Sequence, residues 1–389
     1  MAHREELKKL LKKIAEQLNY KDPVIIINDL SSGGANYTST LYTAIIREKN
    51  KEDLQLFAKV GAVGEKFREQ ISVNLFDTER FAYTKLFKIY AALEEEHGVP
   101  EEYRLPYVKL YGFDDTLYQE TMVLENLLPQ GFGPCDRFKS IDWEYASAAV
   151  AECAKLHALS FAFKKKDPEE YQQVLKLLKP AWDDMPVDDL LKQSMVPALK
   201  VIKPEHKAAF ENFMNRGAKE TFMKYYEARR VTAIIHGDYR GNNLLHRVRK
   251  DGKVDIKIVD LQTLQGGSPL TDLLYFIFTG SDEQFRARYF DRLVEHYYSQ
   301  LSAAMRRLHL DPHENFSRED FDAELKEKLP FGLTLATFTL PVITVDTEHA
   351  PKVDESLEIS NFSVEKTSAL YCERLNGVVN DYVRWGVLK

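Results

Sequence analysis

The stretch 234–262, IIHGDYRGNNLLHRVRKDGKVDIKIVDLQ, constrains the fold more than any other part of the chain. Two apolar, β-prone runs, LLHRVRK and KVDIKIV, flank Asp251-Gly252, a strong signal for a tight hairpin turn. If those two residues alone form a type I′ turn, Asn243 and Asp260 stand directly opposite each other at the open end of the hairpin, with Cβ atoms about 5 Å apart. A longer loop centred on the same point keeps that pairing, whereas a bulge shifts it. An oxygen-rich pair at adjacent strand ends suits a hard cation such as Mg²⁺, which takes few protein ligands and keeps phosphate oxygens and waters. Asp238 lies five residues before Asn243 in a glycine-bounded loop, free to face whatever the metal holds.

Composition narrows the class. The 389 residues can bury a sizeable core, and the length suggests two domains or two lobes. A hydrophobic fraction of 44% with 29% charged residues is that of a soluble globular protein. The net charge of −7, from 53 basic and 60 acidic residues, argues against a nucleic-acid partner, which needs a basic face to neutralise phosphates. Cys135, Cys153 and Cys372 are far apart and lack C-x-x-C spacing, which fits free thiols in a reducing, cytoplasmic setting. Near the N-terminus, Leu7, Leu10, Leu11, Ile14 and Leu18 recur at helical spacing between charges, the pattern of a helix capping a domain and not of a signal peptide. The run 329–345 is uncharged but carries two Pro, a Gly and four Thr, so it reads as a buried segment and not as an integral membrane span. No obligate protein partner is evident.

Along the chain the first third reads as sheet. LYTAIIRE (41–48) and LQLFAKV (54–60) form a hairpin, 74–93 is helical, and 107–115 and 116–128 read as two further strands. From about residue 141 the pattern turns helical, and Ser281 with Gln284 stands at capping-box spacing before one long helix. The fold class is α+β with two lobes, a β-rich lobe over 1–124 and an α-rich lobe over 125–389.

HGDYRGNN has the H-G-D-x-x-x-x-N form of the aminoglycoside and choline kinase group, and VDLQ stands where kinases carry D-F-G. With GGANYTSTLY, LFAKV, VLENLLPQGF, KLHALSFA and SPLTDLLYF in the same order, the chain resembles the ecdysteroid kinase-like family of arthropods over nearly its whole length. The resemblance implies a protein kinase-like fold and ATP-dependent phosphorylation of a small-molecule hydroxyl. It makes Asp238 the group that orients the hydroxyl and accepts its proton, and Asn243 and Asp260 the holders of Mg²⁺. Lys59 would hold the ATP phosphates, with Glu79 as its partner and Glu69 as a competitor for that role. Gly33, Gly34 and Asn36 fall in the loop 31–39 that would cover the phosphates with backbone N–H groups. Glu125, Asn126 and Leu127 would form the hinge that meets adenine.

Other polar residues carry plainer readings. His236 and His157 read as packed histidines, Asp272 as a helix cap or a tie for the catalytic loop, and the acidic run 182–191 as a solvated helix start. Only eleven residues separate Asp260 from Asp272, and no A-P-E follows, which leaves no room for the peptide-docking segment of a protein kinase. A pseudokinase and a choline or aminoglycoside kinase remain as rivals. Aromatic residues such as Trp143, Trp182, Phe331, Phe338, Tyr371, Tyr382 and Trp385 in the α-rich part favour an apolar acceptor, although many of them must be core.

Overall fold

The computed structural model describes residues 2–31, 38–70, 75–180, 187–216, 222–224, 226–349 and 367–389. Gly33, Gly34, Asn36 and Trp182 lie outside the described residues.

A five-stranded antiparallel sheet, ordered β1-β2-β3-β5-β4, forms the first lobe: β1 Val24–Leu30, β2 Ser39–Arg47, β3 Leu54–Gly61, β4 Leu110–Asp114 and β5 Thr121–Glu125. Its two faces follow the period-two alternation of strands. Tyr42, Ala44, Ile46, Leu56, Ala58, Val60 and Val123 are buried with Leu7, Leu10, Leu11 and Ile14 of helix α1, Ala2–Gln17. The amphipathic N-terminal helix therefore caps the sheet and seals a core of its own. The intervening positions Leu41, Phe57, Lys59 and Leu124 face the opposite way and line a cleft. After the short helix α2, Glu65–Gln70, the chain forms α3, Leu75–Phe81, which passes through one π turn, Ala82–Leu86, into α4, Phe87–Glu96.

The remainder is mostly helical. α5, Trp143–Lys166, starts at Asp142, whose carboxylate accepts the Tyr145 N–H at 2.8 Å. The long helix Glu283–Arg307 packs along α5. Its cap differs from the sequence expectation: Asp282, not Ser281, accepts the Phe285 N–H at 2.7 Å, and the Ser281 hydroxyl turns back to the Ile277 carbonyl. Asp282 stands one residue nearer the first turn, and its carboxylate is the stronger acceptor for a first-turn N–H. Most of the run 329–345 falls in the helix Arg318–Ile343, which continues through Pro330 and Pro341 and is buried over most of that stretch. No described helix is long and apolar enough to cross a membrane.

Two small sheets carry the opening stretch of sequence. β6, Ala233–Ile235, pairs with β9, Gln265–Gly267, and β7, Leu244–Val248, pairs with β8, Val254–Ile258. The hairpin register differs from the two-residue turn by one position. Leu244 faces Ile258, and Arg249 N–H donates to the Lys253 carbonyl at 2.8 Å, so three residues make the loop. Gly252, at φ +81°, supplies the left-handed residue that such a loop needs. Asn243 consequently stands opposite Val259, whose N–H donates to the Asn243 carbonyl at 2.9 Å, and Asp260 lies one residue beyond.

Candidate active site

Asp260 reaches the site by another route than simple cross-strand pairing. Its backbone is left-handed, with φ 64° and ψ 59°, a conformation that Asp tolerates better than most residues. There its Oδ1 accepts from Lys59 Nζ at 2.6 Å, and Lys59 also donates to Glu79 Oε2 at 2.8 Å. Lys59 and Glu79 are 6% and 1% exposed, so this is an interior cluster of two carboxylates around one ammonium. Burial alone would lower the Lys59 pKa, but the adjacent Asp260 and Glu79 override it and hold the ammonium above its ordinary range. Burial raises Glu79, with Lys59 opposing; burial also acts to raise Asp260, but Lys59, with Arg240 and His236, keeps that carboxyl below its ordinary value. Glu79 on α3, not the exposed Glu69 on α2, is thus the partner of Lys59.

Asp238 sits in a loop tied down from several sides. Gly237, at φ +81°, is required there: a Cβ would lie 2.4 Å from the Thr263 carbonyl oxygen. The His236 and Gly237 N–H groups donate to the Asp272 carboxylate at 2.7 and 2.9 Å. His157 meets the same carboxylate through Nε2 at 3.1 Å, and its Nδ1 meets the Tyr297 hydroxyl at 2.7 Å. Asp272 and His157 are fully buried. Cys153, His157 and Asp272 have metal-like proximity, yet Asp272 is committed to the loop N–H groups and His157 to Asp272 and Tyr297, so the cluster reads as a brace. His236 links Val259 O, 3.0 Å from Nε2, to the Asp238 N–H, 3.3 Å from Nδ1; that pattern assigns the ring proton to Nε2.

The Asp238 carboxylate is itself surrounded by donors. Arg240 Nε lies 3.0 Å from both of its oxygens. Asn243 Nδ2 lies 2.9 Å from Asp238 Oδ2 and 2.9 Å from the Asp238 carbonyl. With its N–H₂ spent on Asp238, Asn243 keeps Oδ1 as an acceptor for another group. Burial raises the Tyr275 phenol far above its ordinary range, and the Asp238 charge adds to the shift. Sequence reasoning missed Arg240 and Tyr275. The signal for Arg240 was its place two residues after Asp238 in the same loop; Tyr275 comes from a distant helix, and no local pattern marks it.

These elements surround a cavity of about 460 Å³ with mostly apolar walls. Lys59, Glu79, Glu125, Leu127, Asn243 and Asp260 line it together. Just after β5, the Leu127 carbonyl accepts the N–H groups of Gln130 and Phe132 at 3.1 and 3.2 Å, and Glu125 Oε1 accepts Gln130 Nε2 at 2.6 Å. The segment 134–138, which sequence reasoning also missed, lines the same cavity with Pro134, Cys135, Asp136, Arg137 and Phe138. Trp143, Phe331, Tyr371, Tyr382 and Trp385 do not line this cavity; they pack in or against the helical core. Asp188 and Asp189 occupy the exposed first turn of the helix Val187–Val201.

Comparison with known proteins bears on this geometry. The chain is similar to a solved aminoglycoside 2′-phosphotransferase-IIIa in its GDP complex, with 10% identity, a TM-score of 0.44, and coverage of 96% of this chain and 97% of that one. It is also similar to the aminoglycoside phosphotransferase APH(3″)-Id from Streptomyces rimosus, solved with ADP and streptomycin, at 14% identity, a TM-score of 0.29, and coverage of 69% and 89%. A search of curated proteins gave no match. The assignment rests on the family model instead. The model of the ecdysteroid kinase-like family matches residues 33–310, more than half of the chain and all of the site described above. The chain belongs to the ecdysteroid kinase-like family, and is a phosphotransferase acting on hydroxyl-bearing small molecules.

Proposed function

We propose that the protein transfers the γ-phosphoryl group of ATP, with Mg²⁺, to a hydroxyl of an apolar alcohol such as an ecdysteroid or a xenobiotic. The observation that carries this reading is the meeting of Lys59, Asp260 and Asn243 in one cavity beside Asp238. Residues 1–124 form the nucleotide-binding lobe in this account, and 125–389 the lobe that holds the catalytic loop and the acceptor. Three free cysteines fit a cytoplasmic setting.

The donor set fits Mg²⁺ and a nucleotide phosphate. Asp260 offers a full carboxylate charge and Asn243 a neutral oxygen, few ligands of the hard kind that Mg²⁺ accepts. Bound Mg·ATP supplies the phosphoryl group and shields its oxygens; the chain supplies position and charge. Lys59, fixed by Glu79, presents an ammonium to phosphate oxygens. Asp238 receives the acceptor hydroxyl and takes its proton at a carboxylate oxygen. Arg240 and Asn243 donate to that carboxylate and fix its orientation toward the acceptor. The Leu127 carbonyl already accepts two protein N–H groups, so a base edge would meet this segment through other backbone groups. The mostly apolar walls of the cavity support an acceptor with a broad apolar body.

The test is Asp238→Asn. Calorimetric titration with Mg·ATP should give an affinity close to that of the wild type, while turnover falls by about a thousandfold or more. A variant that loses nucleotide affinity as severely as activity would show that Asp238 belongs to the nucleotide site.

A further inference from the structure

Asp260 opens a short turn, Leu261–Thr263, whose side chains reach two other parts of the site. Thr263 Oγ1 donates to the His236 carbonyl at 2.9 Å, which fastens the turn to the loop of Gly237 and Asp238. Gln262 reaches the other way. Its Oε1 accepts the Thr38 hydroxyl at 3.2 Å, a contact across the two lobes between residues 224 apart in the chain. Thr38 is 5% exposed and directly precedes β2, and its carbonyl accepts the Ala62 N–H at 3.1 Å, just past β3. It is therefore fixed to the pair of strands that carries Lys59. Gln262 does not have a positive φ, so the position does not call for glycine's freedom.

We infer that Gln262 is a positioning residue for the nucleotide. Its amide fastens the β2–β3 frame, and with it Lys59, to the turn that carries Asp260. The inference rests on the nucleotide reading above. Lys59 and Asp260 hold each other directly at 2.6 Å, and each is also needed by a different part of Mg·ATP: the ammonium by phosphate oxygens, the carboxylate by the metal. A group that enters between them takes over that direct pair. The Gln262–Thr38 contact uses neither charge, so it keeps the two lobes registered whether the pair is closed or open. A neutral hydroxyl-to-amide bond also adds geometry beside Asp260 without adding charge.

The experiment is calorimetric titration of Mg·ATP into the full chain as wild type, Gln262→Met, Thr38→Val and the double variant. Met keeps the length of Gln and Val the shape of Thr, so each removes one half of the hydrogen bond with little change in packing. Each single variant should weaken binding about three- to tenfold, the range expected from one hydrogen bond. The double variant should be no weaker than the worse single one, because both lesions remove the same bond. Thr38→Ser, which keeps the hydroxyl, should return binding to within about twofold of the wild type. Melting temperatures of the ligand-free chains should stay nearly unchanged. Single effects that multiply in the double variant, unchanged affinity in folded variants, or no rescue by Ser would each overturn the inference. A wild type that takes up no Mg·ATP would overturn the nucleotide reading as well, a result distinct from those three.

Discussion

Lys59 on β3 and Asp260 after β8, 201 residues apart in the chain, meet at 2.6 Å inside the cleft. The carboxylate proposed to hold the metal is thus already neutralised by the ammonium proposed to hold the phosphates. Mg²⁺ and ATP should consequently bind with strong mutual dependence. Titrations should show weak uptake of Mg²⁺ alone and at least about tenfold tighter ATP binding when Mg²⁺ is present. Asp260→Ala should erase most of that dependence. Tight binding of Mg²⁺ to the nucleotide-free chain would contradict the shared role of Asp260.

Glu79 and Glu69 separate cleanly. Glu79→Gln removes the buried charge that aims Lys59, and should raise the KM for ATP about tenfold or more. Glu69→Gln, on an exposed face of α2, should stay within about twofold of the wild type. Equal effects in the two variants would put the partner of Lys59 elsewhere.

Much of this site was legible in the sequence, and the gaps have physical causes. Alternation along LQLFAKV puts Lys59 on the cleft face of β3 with Phe57, opposite the α1-facing Leu56, Ala58 and Val60. The hairpin around Asp251-Gly252 was legible too, but not its register. The same dipeptide serves a two-residue turn and a three-residue loop with Gly252 left-handed, and one residue decides which partner Asn243 meets. Asp260 still reaches the cleft because its own backbone turns left-handed, which no pattern of apolar residues encodes. Tyr275 and the segment 134–138 meet the site only through tertiary packing.

Asp272 tests the brace behind the loop that carries Asp238. Its buried carboxylate accepts two backbone N–H groups and His157, so Asp272→Ala strands donors in a closed interior. Urea unfolding should show a loss of about 3–5 kcal/mol. A loss below about 1 kcal/mol would mean that the loop is held by other contacts.

Lys328 offers a pH test away from the chemistry. It is 2% exposed, and its ammonium donates to the carbonyls of Lys224, at 2.8 Å, and Glu227. Burial pushes its pKa down to about 8; Glu324, Glu227 and Glu327 oppose that shift and Arg229 adds to it. Between about 8 and the ordinary value of 10.5 the unfolded chain binds the extra proton, so stability should rise with pH across that window and be lost as pH falls through about 8. Urea midpoints at pH 7.5 and 9.5 (chosen to bracket about 8) should therefore rise more in the wild type than in Lys328→Met. An equal change in both proteins would remove Lys328 from the account.

The most direct measurement is phosphoryl transfer from labelled Mg·ATP to a mixture of acceptors at equal concentration: an ecdysteroid, other apolar alcohols, choline and an aminoglycoside. The account predicts label on the apolar alcohols at a higher rate than on choline or the aminoglycoside, and loss of that label in Asp238→Asn. Faster labelling of choline or the aminoglycoside would contradict the acceptor assignment and leave the chemistry standing. Nucleotide binding with no label on any acceptor would contradict the catalytic reading and point to a binding protein.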